Sequence, residues 1–192
     1  KPLVGATLDA FRSESTVVFQ DFARYPLSLD DNVSLGRPGP TQIATAIESS
    51  GLSSLLDRLE RGSQTVLSKS FDHGTELSGG QWQRVALARA LFALQQKVQL
   101  VILDEPTANL DVRGELEVFE TLLERTHGST TILISHRLST VRRVQRIVVI
   151  EHGLVLQDGN HETLMMQDGP YRAMYLAQAN AFEPDELEHL DA

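Results

Sequence analysis

The 192 residues include 41% hydrophobic side chains, enough for the core of one domain with lobes. With 26 acidic against 17 basic side chains the net charge is -9, which argues against general affinity for nucleic-acid phosphates. No apolar run approaches the ~20 residues of a membrane helix, no signal-peptide pattern is present, and the absence of cysteine removes any disulfide framework.

In chain order, a Gly5 turn and a short helical pattern around Leu8 to Arg12 come first, followed by a predicted strand over Thr16 to Phe19 that ends at Gln20. Ser28 to Asp31 has the form of a helix start, with Ser28 as N-cap and Asp31 in place of the usual Glu or Gln. Helical segments over Thr41 to Ser50 and Leu52 to Leu59 follow the break Gly36-Arg37-Pro38-Gly39-Pro40. The turn Ser78-Gly79-Gly80 then precedes a helix over Gln81 to Leu94, in which Val85, Ala88, Leu91 and Phe92 recur at helical spacing. Ser78 suits the N-cap, and glycines let backbone N–H groups approach an anion at the positive end of the helix dipole. The ligand expected there is a phosphate.

Leu100 to Leu103 is an unbroken aliphatic run that suits a parallel strand covered on both faces, and it stops at Asp104 and Glu105, with Pro106 preventing its continuation. Glu115 to Glu124 reads as a helix with Leu116, Phe119, Leu122 and Leu123 on its buried side, and Thr130 to Ile134 as another buried strand followed by Ser135-His136. Arg146 to Ile150 and Leu154 to Gln157 form a hairpin across His152-Gly153, expected as the sheet's final edge. His161 to Gln167 and Pro170 to Ala179 are the last helices, and residues 183–192 an acidic, solvated tail. Arg142, Arg143 and Arg146 read as a solvated helix face, and His73, His127, His152, His161 and His189 as structural histidines.

Three apolar strands thus end in Gln20, in Asp104-Glu105 and in His136. In a parallel sheet such ends converge on one edge, where ligands bind. Groups able to hold a metal, accept a proton and donate a hydrogen bond, gathered opposite a phosphate-binding turn, describe phosphoryl transfer.

The motif LSGGQ at Leu77 to Gln81, followed by VILDEPTANLD, resembles the ATP-binding cassette (ABC) ATPases. ISHRLSTV, PLSLDDNV, GTELSGGQWQR and YRAMYLAQ are similar to the exporter-type cassettes found behind six membrane helices. The resemblance implies a P-loop NTPase-like α/β fold, a parallel-sheet core with an inserted helical lobe. It divides the chain into residues 1–20 (end of the N-terminal part of the core), 21–92 (helical signature lobe), 93–182 (C-terminal part of the core) and 183–192 (tail).

It further implies ATP and Mg²⁺ as ligands. Asp104 would orient Mg²⁺, Glu105 would polarise the attacking water, His136 would hold the γ-phosphate, and Gln20 would reach both metal and water. Ser78, Gly79, Gly80 and Gln81 would contact ATP on a second nucleotide-binding domain, and Asp111 the opposite subunit, so that function needs a head-to-tail dimer. Phe22, Tyr25 and Pro26 would face a transmembrane domain or pack within the lobe, at the cytoplasmic face of the membrane.

The phosphate-cradling motif G-x-x-x-x-G-K-[ST] does not occur, and none of the three lysines, Lys1, Lys69 and Lys97, follows a glycine. That loop and the adenine-stacking aromatic are expected upstream of Lys1, so that this chain alone hydrolyses almost no ATP. Two other readings stand beside a transport ATPase. A soluble ABC ATPase acting on DNA or ribosomes is opposed by the acidic balance and the short interval from Gln20 to Leu77. A non-catalytic dimer partner is favoured by the absent lysine loop and opposed by intact Glu105 and His136.

Overall fold

A computed structural model describes residues 4–106, 121–126 and 128–181 of the chain. They divide into two compact units, one ending at Ile134 and the other beginning at Ser135.

In the first unit Gly5, at φ 53°, opens helix α1 (Ala6–Ser13), and β1 (Ser15–Val18) follows one residue ahead of the expected strand. Helix α2 (Leu29–Ser34) starts where its cap predicts: Ser28 Oγ accepts the Asp31 N–H at 3.1 Å. Asp31 completes only half of a capping box, because its short carboxylate accepts the Ser28 hydroxyl at 2.7 Å. Helix α3 (Pro40–Ser49) begins with proline in its first turn, the position where a missing N–H costs nothing. Helix α4 (Ser53–Leu56) is shorter than its sequence pattern, since the chain tightens into i→i+3 bonds from Arg58 to Leu55 and from Leu59 to Leu56.

Helix α5 (Gly79–Gln95) is the centre of this unit. Trp82, Val85, Leu87, Ala88, Ala90, Leu91 and Phe92 are all buried, so the apolar stripe predicted from Val85, Ala88, Leu91 and Phe92 widens to most of the helix surface. It packs on α2, α3 and β1. Gly79 and Gly80 do not form a turn before it; they are its first two residues, and neither has positive φ. Ser78 caps the helix and pulls both glycines into the first turn.

The sheet runs β1, β2 (Leu100–Asp104), β3 (Thr130–Ile134), all parallel, with β2 in the middle. Val18 pairs with Leu103 and Asp104 with Ile134, so the strands end level. Burial alternates along them. Val101 and Leu103 are buried, while Leu100 and Ile102 are partly exposed. In β3, Ile132 and Ile134 are 47% and 50% exposed among the described residues. Among the described residues the expectation of strands covered on both faces is therefore met on one face, because continuous aliphatic runs do not report which side is covered. The helix predicted over Glu115 to Glu124 lies mostly outside the described residues; residues 121–125 are helical, with Leu122 buried.

In the second unit a short helix α6 (Leu138–Val141) precedes the antiparallel hairpin β4 (Ile147–Glu151) and β5 (Leu154–Gly159). His152 and Gly153 both have positive φ, the requirement of a tight primed turn. The hairpin is a separate two-stranded sheet among the described residues, not an edge of the β1-β2-β3 sheet. Helices α7 (His161–Met165) and α8 (Pro170–Ala181) pack on it through Leu164 and Tyr171. Arg146 does not lie on a helix face: its guanidinium forms a two-pronged ion pair across the hairpin with Asp158, at 2.8 and 2.6 Å, which holds the Asp158 carboxyl below its ordinary range.

Candidate functional site

The two carboxylates at the end of β2 differ in backbone. Asp104 is the last strand residue, half-buried and in register with Ile134. Glu105 turns into the left-handed region at φ 48°, uncommon for a residue with a side chain and of the kind found at functional sites. This conformation is held from two sides. The Glu105 N–H donates to the Ile134 carbonyl at 3.0 Å, extending the ladder toward β3. On the other side Gln83 of α5, itself buried, donates its side-chain amide to the Pro106 carbonyl at 2.7 Å and to the Glu105 carbonyl at 3.5 Å. Gln83 braces this turn although the sequence reading gave it no role; its signals are its place in the GTELSGGQWQR segment and a polar side chain on an otherwise aliphatic helix.

Gln20 lies two residues past β1 and is exposed, at the end of the sheet where Asp104 stands. The segment after it is tied to α5. Arg89 donates to the carbonyls of Ala23 and Asn32, both at 2.8 Å, and to Asn32 Oδ1 at 2.7 Å. Asn32, fully buried, donates in turn to the carbonyls of Tyr25, Leu27 and Ser28. Burial lowers the Arg89 pKa from its ordinary value, and Tyr25, whose ring lies 5.1 Å from the guanidinium, opposes that shift. Phe22 packs against the core and Tyr25 stays 41% exposed beside this network.

At the N-terminus of α5, Ser78 Oγ accepts the Gln81 N–H at 3.3 Å and Gln81 Oε1 accepts the Ser78 N–H at 2.8 Å, a complete capping box. The Gln81 side-chain oxygen is thereby used inside the turn. A Cβ built on Gly79 would meet nothing within 4 Å. No contact among the described residues therefore accounts for glycine at that position.

His136 belongs to the second unit, on the stretch that leaves β3, and is exposed. Asp111 lies outside the described residues. Among the described residues no three His, Cys, Asp or Glu side chains gather into a ready-made metal site. The half-buried Asp104 carboxylate at the strand end is the kind of oxygen donor that suits Mg²⁺.

Residues 1–108 match the sequence profile of the family described as ABC transporter. The chain belongs to that family. It is 37% identical over 183 residues to the multidrug resistance protein homolog 65 of Drosophila melanogaster, covering 94% of this chain and 14% of that protein. It is 36% identical to the ATP-dependent lipid A-core flippase of Alkalilimnicola ehrlichii, covering 93% and 30% respectively. Among solved structures it is similar to a bacterial Atm1-family ABC exporter with ATP bound, at a TM-score of 0.78 and 31% identity, over 88% of this chain and 29% of that one. The fold is thus the α/β, P-loop NTPase-like fold of an exporter-type ATP-binding cassette, and the chain spans less than a third of the length of these relatives. No helix among the described residues is long and apolar enough to cross a membrane.

Proposed function

We propose that this chain supplies the signature lobe and the catalytic carboxylates of an exporter's nucleotide-binding domain, which hydrolyses ATP in a head-to-tail dimer and drives a fused or separate transmembrane domain from the cytoplasmic side. The observation that carries this reading is the shared end of a parallel sheet, where β1 runs out toward Gln20 and β2 closes in Asp104 and Glu105.

Glu105 accepts a hydrogen bond from the attacking water and takes up its proton as the bond to phosphorus forms; its braced backbone keeps the carboxylate aimed. Gln20 orients the same water. Asp104 would hold Mg²⁺, which would supply charge neutralisation at the phosphates. His136 hydrogen-bonds the γ-phosphate. Ser78 and the backbone N–H groups of Gly79 and Gly80 serve the γ-phosphate of ATP on the second subunit, with Gln81 fixing their turn and Asp111 touching that subunit. The phosphate-cradling lysine loop comes from a segment outside these 192 residues. In this reading residues 1–20 and 93–182 belong to the ATPase core, residues 21–92 form the lobe and residues 183–192 a solvated tail.

The test is Glu105→Gln in the longest native polypeptide that carries this sequence. Hydrolysis should fall by about two to four orders of magnitude, while ATP still binds and the closed dimer accumulates. Unchanged hydrolysis would mean that Glu105 is not the base. That outcome would favour the second reading, a non-catalytic partner for another cassette.

A further inference from the structure

The stretch Ser135 to Leu138 is braced against α8. Gln178 of α8 donates its side-chain N–H to the His136 carbonyl at 2.7 Å, and its side-chain oxygen accepts the Leu138 N–H at 3.1 Å. One planar amide thus bridges the residues on either side of Arg137. Ser135 Oγ accepts the Arg137 N–H at 3.0 Å, and Thr140 Oγ1 donates to the Arg137 carbonyl at 2.7 Å. Leu138 is the first residue of α6, whose N-cap Arg137 gives no side-chain cap, so without Gln178 that N–H is one of the unfilled donors of a helix start.

We infer that Gln178 is a positioning residue for hydrolysis, an amide clamp that fixes the backbone from the carbonyl of the exposed His136 to the Leu138 N–H. The inference rests on the reading of His136 as the γ-phosphate ligand and adds a residue from a different helix, 42 positions on. A histidine hydrogen-bonding a phosphate must hold its ring within a fraction of an ångström of one position, and the ring inherits its placement from the backbone. Of the common side chains, an amide of this length can donate to one backbone group and accept from another two residues away.

The clamp is tested in the longest native polypeptide that carries this sequence, by ATP hydrolysis of Gln178→Leu, Gln178→Glu, His136→Ala and the double variant His136→Ala/Gln178→Leu. Gln178→Leu should lower kcat by roughly tenfold to a hundredfold with little change in KM. Gln178→Glu keeps the shape and the bond from Leu138 but sets a carboxylate oxygen against the His136 carbonyl, so it should lose activity as well. In the His136→Ala background the residual rate should not fall further when Gln178 is changed, because the clamp acts only through His136. If the Gln178 variants keep full kcat while His136→Ala is inactive, the clamp is wrong and the role of His136 stands. If Gln178→Leu depresses the His136→Ala rate as strongly as the wild-type rate, Gln178 acts by another route and the clamp is again wrong. If His136→Ala itself hydrolyses normally, the functional reading of His136 fails, and the clamp with it. Should Gln178→Leu fail to fold, the isosteric Gln178→Glu decides between these outcomes, alone and combined with His136→Ala.

Discussion

Glu105 combines two properties rarely found in one residue: a charged side chain and a left-handed backbone. Such a conformation costs about 1–3 kcal/mol and persists where neighbours over-determine it. Here the neighbours are the Ile134 carbonyl and the buried Gln83 amide. Gln83→Leu keeps the approximate volume but removes the donor, leaving the Pro106 carbonyl without that partner in a buried turn. A loss of about 1–3 kcal/mol of stability is expected from that group alone. A second effect should separate this residue from an ordinary core position: kcat should fall while ATP affinity holds, since the carboxylate loses its aim and the nucleotide loses no contact. Thermal unfolding and steady-state kinetics on the same sample measure both; a stability loss with unchanged kcat would reduce Gln83 to packing.

One helix gathers most of these ties. Along α5, Ser78 to Gln81 form the capped start, Gln83 reaches the Glu105 turn, and Arg89 reaches the segment that follows Gln20. The signature turn, the base and the glutamine segment are therefore attached to one rigid rod. The cap and the ligand contact at Ser78 are separable by substitution. Ser78→Ala removes the cap and should cost about 1 kcal/mol. Ser78→Asp caps as well and suits the helix dipole, yet puts a negative charge where the proposed function brings a phosphate. Native-like stability with loss of ATP-driven dimer closure is expected for Ser78→Asp, readable by thermal unfolding and by sizing with and without ATP; normal closure would show that no anion approaches this turn. Local chemistry made the Ser78 cap of α5 legible in the sequence, although the helix expected from Gln81 starts at Gly79. The three strands were legible as aliphatic runs, and their shared end followed from the parallel arrangement. What the sequence hid were long-range facts. Which side of β2 and β3 is covered depends on distant elements, the separate hairpin depends on its own packing with Leu164 and Tyr171, and Gln83, Arg89 and Gln178 act across 22 to 66 positions. Polar side chains that bond backbone at such separations leave no period to read.

At the scale of the whole molecule, the proposed function requires that one subunit's signature segment serve the other's carboxylates. The open space around Gly79 makes this testable without disturbing the fold. A Cβ there meets nothing among the described residues, and an aspartate in the first turn of α5 even suits the helix dipole, so Gly79→Asp should fold normally while obstructing the phosphate of the proposed site. Take two populations of the native polypeptide, one carrying Gly79→Asp and the other Glu105→Gln. Each alone builds only defective sites. In a head-to-tail pair of one with the other, both lesions fall in the same site and the second site is intact. Random mixing at equal amounts makes half of the dimers mixed, each with one of two sites working, so about a quarter of the wild-type rate should return. If each site were built within a single subunit, every site would still carry one lesion and mixing would restore nothing. Hydrolysis measured across a series of mixing ratios separates the two cases, because recovery through shared sites peaks at equal proportions and vanishes at either end.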